Sequence, residues 1–400
     1  MNWRTTTLGE LCDEGGGSIQ TGPFGSQLHA ADYVAHGIPS VMPQNIGDNV
    51  IDPDGIARIA DADAMRLAKY LLASGDIVYS RRGDVERRAF VRPENDGWLC
   101  GTGCLRVRLG PASSHDSLFL SYYLGTEDAR AWIVRHAVGA TMANLNTGIL
   151  AAVPVRVPEP HVQTAIAEVL GALDDKIAAN AGLATAVDDL LGALFDRLSS
   201  AAPWGCLQGI AHVNRASTKP QAGGTLRYLD IASVGTGNYE LPEPIAWGEA
   251  PGRARRILGR GDTVWSTVRP NRRSHALVLD RSSRLVASTG LAVLTPRSDD
   301  FAFVYEATRT KKFLAFLEAA AEGSAYPAVR AERFLDAPVP RVADADRLVF
   351  ERVAAPLRER VHAATAESRT LTKLRDALLP QLMSGKIRVK DAEGVVEGVI

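Results

Sequence analysis

Lysine is scarce in this 400-residue chain: eight of the 45 basic residues, leaving 37 arginines. Genomic base composition accounts for such a bias without invoking function, although arginine is also the side chain best suited to bidentate contacts with guanine. Cysteine is scarce too. Of the four, Cys100 and Cys104 sit in an apolar stretch without a second Cys or His pair, and Cys12 and Cys206 stand apart. Reduced core thiols are expected rather than zinc ligands. The eight histidines do not cluster at metal spacing, so no metal is expected. No apolar run approaches membrane-spanning length, and Met1-Asn-Trp-Arg-Thr-Thr-Thr7 is not a signal peptide; the expectation is a cytoplasmic protein with no membrane partner. Also missing are an Asn/Asp-Pro-Pro-aromatic run for amino-methyl transfer, a glycine-rich cofactor loop and a phosphate loop. Gly385-Lys386-Ile387 lacks both the upstream glycine and the hydroxyl that a phosphate loop needs. These absences argue against an enzyme, with no catalytic residues and no cofactor on this chain. A net charge of −1 excludes a uniformly basic coat but permits local basic patches.

What is present is a repeat. At a constant offset of 184 residues Phe119 answers Phe303, Gly139 answers Gly323, Pro154-Val155 answers Pro338-Val339, and the match runs on to Leu198 and Leu382. At an offset of 186, Leu72-x-x-Gly75-Asp76-x-Val78-Tyr79-Ser80 answers Leu258-x-x-Gly261-Asp262-x-Val264-Trp265-Ser266. So long a period is a duplicated domain rather than a solenoid. A duplicated domain imitates a dimer, which suits an object with two-fold symmetry such as duplex DNA.

Each copy reads as a mixed segment closed by a long amphipathic helix. The expected organisation is a globular unit at 1–158, a helix at 159–200, a second unit at 201–342, a helix at 343–388 and a tail at 389–400. The fold class is α+β: two mixed globular domains separated by two long antiparallel coiled-coil helices, with a pseudo-two-fold internal repeat. Short strands are expected at Ile38–Met42, Asp76–Ser80, Ala89–Val91, Leu105–Leu109 and Val153–Val157. Their counterparts are Arg227–Ile231, Asp262–Ser266, Ala276–Leu279 and Gly290–Leu294. Single helices are expected over Leu118–Arg135 and Phe301–Ala319. The first long helix carries a stripe of Ile166, Leu170, Leu173, Ile177, Ala184, Val187, Leu191, Leu194 and Leu198, with a polar break at Asn180. The second carries Phe350, Val353, Leu357, Val361, Leu371, Leu374, Leu378 and Leu382; Pro356 should kink it. At about 1.5 Å per residue the first stripe is roughly 50 Å long and needs a partner helix, so the two helices should pair. The acidic pairs Asp174-Asp175 and Asp188-Asp189 read as solvated faces, and Lys386–Ile400 as strand-like, then frayed.

These residues resemble the specificity subunit of type I restriction–modification systems. The resemblance is carried by Leu8-Gly-Glu-Leu11, Gly22-Pro-Phe-Gly-Ser26, Gly37-Ile-Pro39, Leu72-x-x-Gly-Asp-Ile-Val78 and Gly139-x-Thr141-Met-x-Asn-Leu-Asn-Thr147. It continues through Pro154-Val-x-Val-Pro158, Gln163-x-x-Ile166 to Asn180, and Leu382-Met-Ser-Gly-Lys-Ile-Arg388. The resemblance implies two target recognition domains, each reading one half of a split double-stranded DNA target. It implies helices that space the domains and dock two methylation subunits, which carry S-adenosylmethionine, with restriction and translocase subunits as further partners. The second copy departs from the pattern at Gly323-Ser-Ala-Tyr-Pro327 and where Asp174-x-Lys176 becomes Arg358-x-Arg360.

Candidate DNA contacts are the arginines after the shared Gly-Asp strand: Arg81, Arg82, Arg87 and Arg88 in the first copy, and Arg269, Arg272 and Arg273 in the second. A loop rich in guanidinium groups can neutralise phosphates and place forks on guanine edges, whereas the plainer reading is a solvated turn. A second candidate is the loop from Gln20 to Gln27, with Lys219 as its loose counterpart; its plainer reading is a turn that packs Phe24 inward. Arg253, Arg255, Arg256 and Arg260 have no counterpart in the first copy. The rival functions are a stand-alone methyltransferase or nuclease, a coiled-coil adaptor without DNA specificity, and a recognition subunit of another phage-defence complex.

Overall fold

The computed structural model describes residues 3–139, 142–281, 284–324 and 326–398. Met1, Asn2, Ala140, Thr141, Ser282, Ser283, Ala325, Val399 and Ile400 lie outside the described residues, and with them Thr141 of the first-copy motif and the end of the tail. The chain divides into unit 1, Met1–Ile177 with Arg369–Ile400, and unit 2, Ala178–Ser368.

Unit 1 opens with the strand Arg4–Thr7, antiparallel to Pro154–Val157. Thr7 then caps the helix Leu8–Glu14 in a reciprocal box with Glu10. One four-stranded antiparallel sheet runs in the order Ser18–Thr21, Cys104–Arg108, Ile77–Ser80, Arg88–Phe90. A second runs Tyr33–Val34, Ala57–Ile59, Ile38–Val41, Leu99–Cys100, its last pair parallel. Unit 2 repeats the first sheet as Ala211–Val213, Leu291–Pro296, Thr263–Ser266, His275–Leu277. Its second sheet keeps the three shared strands (Pro244–Ala246, Thr225–Leu229, Leu285–Ser288) but takes its fourth, Ala254–Ile257, on the opposite edge. Arg255 and Arg256 lie on that strand; at the same edge of unit 1 a single antiparallel bridge, Leu71 to Leu99, takes its place.

The helices expected as single pieces are each broken. Ser117–Leu124 stops at Gly125, and Glu127–His136 follows. Phe301–Ala307 stops at Thr308, and Lys311–Ala319 restarts with Thr310 as its cap. Continuous apolar periodicity concealed both corners. Gly125 has a packing reason: a Cβ there would fall on the buried guanidinium of Arg88.

The long helices are Pro160–Ser199 and Asp344–Met383, 40 residues each and so about 60 Å long. The second runs without interruption through Pro356. Each helix contributes a segment to each unit. In unit 1 Ile166, Leu170 and Leu173 share a core with Leu371, Leu378 and Leu382, with Ile177 and Leu374 packed at its border. In unit 2 Val187 and Leu191 are joined by Phe195, which the stripe passed over, and by Phe350 and Ala354; Leu194, Leu198, Leu357 and Val361 border that core. Val353 is corrected: it is exposed, and Ala354 takes the buried position. By length and composition alone the first long helix is apolar enough to cross a membrane, although no single uninterrupted run announces it. Its buried stripe packs on the second long helix within each unit.

Asn180 is buried rather than a mere break. Its amide donates to the Ala364 carbonyl (3.2 Å), Glu367 (2.8 Å) and Ser368 (3.1 Å), so a polar side chain sits satisfied inside the unit 2 helix pair. One such residue at an apolar seam fixes register. The second long helix ends in a Schellman motif: the Gly385 N–H bonds the Leu382 carbonyl, the Lys386 N–H bonds that of Gln381, and Gly385 takes φ +71°. The tail is corrected from strand-like to helical: Val389–Glu397 is a helix, and its Ala392 is buried in the unit 1 core. Cys12, Cys100 and Cys104 are free and buried, with the Cys12 and Cys100 thiols pushed up to about 12 by burial.

Candidate nucleic-acid interface

The shared Gly-Asp motif is a structural turn. Gly75 (φ +92°) and Gly261 (φ +90°) open equivalent strands, and the carboxylates of Asp76 and Asp262 accept from the N–H three residues upstream, on Ala73 and Gly259. After the strand, the hydroxyls of Ser80 and Ser266 close the next turn onto the carbonyls of Arg82 and Val268. There the exposed loop begins in each unit.

A short backbone ladder pins this loop to the motif that follows Gly139 and Gly323. In unit 1 the Gly83 N–H donates to the Ala143 carbonyl and the Leu145 N–H to the Arg81 carbonyl. In unit 2 the Arg269 N–H donates to the Pro327 carbonyl and the Val329 N–H to that of Thr267. Met142 (61% exposed) and Tyr326 (70%) stand at equivalent places beside it. Sequence reasoning missed both, since a single exposed apolar residue leaves no periodic signal. Asn146 caps the helix Thr147–Ala151, its Oδ1 accepting from the Ile149 N–H at 2.8 Å.

The candidate arginines separate by environment. Arg82 is exposed, Arg81 lies 5.8 Å over the Phe24 ring, and Arg87 is half-buried, 3.9 Å from Asp84. Phe24 is 53% exposed, which corrects the inward-packed turn. Arg88 is turned inside: 5% exposed, its Nε donating to the Ser121 carbonyl at 2.5 Å, with burial pushing its pKa down. A guanidinium held there cannot reach a DNA groove, so Arg88 is a core residue. In unit 2 Arg272 and Arg273 are exposed, and Arg269 is half-buried with its guanidinium 4.7 Å over Tyr326. Gln20 and Gln27 are engaged within unit 1, accepting from buried Arg106 (2.8 Å) and from Tyr70 (2.8 Å) respectively, whereas Lys219 is exposed.

The acidic pairs are not simply solvated. Asp174 is buried, accepting from Tyr122 at 2.5 Å and pairing with Arg375 at 2.7 Å; Asp175 pairs with Arg92. In unit 2 Asp188 pairs with Arg358 (2.9 Å) and Arg309 (2.5 Å), and both arginines also pair with buried Glu306. Burial opposes the charge of Arg309 and Arg358, but Tyr305, Glu306 and Asp188 outweigh it and hold both pKa values above the ordinary one. Burial likewise opposes the charge of Asp188, and the two arginines reverse it, holding its carboxyl below the ordinary range. Arg88 and His275 occupy the same register, opposite Tyr79 and Trp265. Gly125 and Arg309 are likewise equivalent at the 184 offset, so the guanidinium that reaches in from Arg88 in unit 1 is replaced in unit 2 by one from Arg309.

Residues 2–188 match the type I restriction modification DNA specificity domain. They belong to that family. The whole chain has the fold of a solved S subunit of a type I restriction–modification system from M. genitalium, with a TM-score of 0.61 at 17% identity over 96% of both chains. A chain from a study of complex assembly and conformational transition in a type I system aligns over 95% of this chain and 97% of that one, at 17% identity and TM-score 0.37. The HsdS subunit of Thermoanaerobacter tengcongensis aligns over 96% and 97%, at 16% identity and TM-score 0.35. No curated protein matches the chain in sequence. Among the described residues no group of three or more side chains is placed to hold a metal ion.

Proposed function

We propose that this chain is the DNA-recognition subunit of a type I restriction–modification complex, acting in the cytoplasm without catalysis of its own. Unit 1 reads one half of a split target and unit 2 the other. Methyl transfer takes place on two methylation subunits that bind S-adenosylmethionine and dock on the long helices; restriction subunits complete the complex. The observation that carries this reading is the specificity-domain match of residues 2–188 together with the recurrence in unit 2 of the first sheet's full topology and of three strands of the second. Fold alone does not assign function; the family match supplies the DNA, and the repeat supplies the second half-site. The exposed arginine loops have the chemistry to contact phosphates and guanine edges.

The test is coexpression with the methylation subunit, followed by genome-wide mapping of modified bases by single-molecule sequencing. A split motif with a constant gap, modified only when this chain is present, is the expected result. A stable complex that modifies nothing would favour a recognition scaffold in another phage-defence system, and methylation or cleavage by the purified chain alone would favour an enzyme.

A further inference from the structure

We infer that Arg269, held over the ring of Tyr326, reads a guanine in the half-site assigned to unit 2; the inference rests on the proposed function. The first observation is backbone strain. Arg269 has φ +51°, in the left-handed region that side chains other than glycine rarely adopt. The equivalent residue of unit 1 is Gly83, at φ +76°, and both N–H groups make the same ladder bond, to Ala143 in one unit and to Pro327 in the other. Glycine therefore satisfies this turn without strain. Unit 2 holds a strained residue there, and strain of this kind collects at functional positions.

The second observation is where the side chain goes. Its guanidinium lies 4.7 Å over the Tyr326 ring, which is 70% exposed. Among the described residues no carboxylate pairs with it, in contrast to Arg309, Arg358 and Arg375. A fork parked on an aromatic face is pre-oriented, so little rotamer freedom remains to be lost on binding. The guanine edge in the major groove, with its O6 and N7 acceptors, is what such a fork fits. Arg272 and Arg273 are exposed on the same turn and suit the flanking phosphates. Unit 1 offers different chemistry here, with Met142 in place of Tyr326 and no side chain at Gly83, so the two half-sites differ.

Arg269→Gly tests this, because it removes the fork while restoring the unit 1 backbone. The wild-type complex with its methylation subunit is mapped first, and the variant is then mapped under the same conditions. Methylation rates follow on duplexes that differ at single positions of the motif. The expected result is an unchanged first half-site and gap, a melting temperature that is unchanged or slightly raised, and loss of preference at one guanine of the second half-site. Discrimination there falls by roughly 5- to 150-fold, the range for one bidentate pair. Arg269→Lys relaxes the same position while keeping the charge. An unchanged variant motif, or a uniform weakening with no relaxed position, overturns the inference and leaves the proposed function standing. So does a lowered melting temperature with loss at every position. A wild-type complex that methylates no split motif overturns both.

Discussion

The two units place polar groups at the same points of the fold and reverse their signs. In unit 1 the first long helix contributes an acid, Asp174, which faces Tyr122 and Arg375. In unit 2 the matching position on the second long helix is a base, Arg358, which faces Glu306, the counterpart of Tyr122, and Asp188. Duplication has kept the geometry of this junction and not its charges. Each globular piece is thereby electrostatically fitted to its own helix pair, and transplanting one onto the other's helices would bring Glu306 against Asp174. The largest predicted effect follows. Arg358→Ala leaves the Glu306 carboxylate, 4% exposed, with Arg309 as its one remaining arginine and takes a partner from Asp188 as well; breaking a buried pair from one side costs up to about 3–5 kcal/mol. Asp174→Ala costs less, about 1–3 kcal/mol, because Tyr122 is neutral and Arg375 retains Asp48 and Asp376. Denaturant unfolding of both variants measures the difference, and equal losses would dissolve the contrast.

The next contrast is in acid response. His275 donates its Nδ1 proton to the Arg273 carbonyl at 2.7 Å, and burial pulls its pKa down from 6.5 to about 4. It is neutral in the folded unit at neutral pH. The unfolded chain takes up a proton below pH 6.5 that the folded chain refuses until about pH 4, so this contribution is complete above pH 6.5 and declines as the pH falls through that window. The full loss is about 3 kcal/mol. Unit 1 has Arg88 in this register, whose charge does not change there. His275→Phe is expected to flatten the stability profile of the protein between pH 7 and pH 4.5. A wild-type slope surviving intact in that variant would place the acid sensitivity elsewhere.

Gly125→Ala should cost about 1–3 kcal/mol, the range for overpacking, because its methyl displaces a guanidinium bonded to the Ser121 carbonyl. Importing the unit 2 solution, with Arg88→His beside Gly125→Arg, should restore part of that loss, since the incoming guanidinium fills the space the old one leaves. A double variant less stable than either single one would mean that the two arrangements are not interchangeable. Thermal unfolding of the three variants decides.

Much of this scaffold was legible in advance because it is periodic. The repeat offsets, the long helices and most of their buried positions follow from apolar spacing, and the Gly-Asp turn recurs by type. Periodicity conceals what is aperiodic. The breaks at Gly125 and Thr308 lie within continuous apolar patterns, and the tail helix is too short to stand out. Arg88 could not be told from its exposed neighbours, since inward and outward arginines read alike until the register is known. Asp174 and Asp188 were read as solvated for the same reason: their partners lie far away in sequence, at Arg375 and Arg358. The candidate site was legible as a loop and not as a set of contacts. Gly83 and Arg269 fall at the 186-residue offset but differ in residue type, and their shared ladder bond shows that they hold the same place in the turn.

That position supplies the smallest and most discriminating effect. Gly83→Ala places a Cβ in open space but in a left-handed backbone, so its cost is strain alone, about 1–2 kcal/mol. Arg269→Gly relieves the same strain in unit 2 and gives back about 0.5–1 kcal/mol through glycine's greater unfolded-state freedom. Its net effect on stability is therefore between zero and a slight gain. The two substitutions should move the melting temperature unequally, downward in unit 1 and not at all or upward in unit 2. If Arg269→Gly instead lowers stability by more than about 1 kcal/mol, beyond glycine's entropic cost, its stacking on Tyr326 supports the fold. The left-handed arginine would then be retained for packing rather than for what it meets outside.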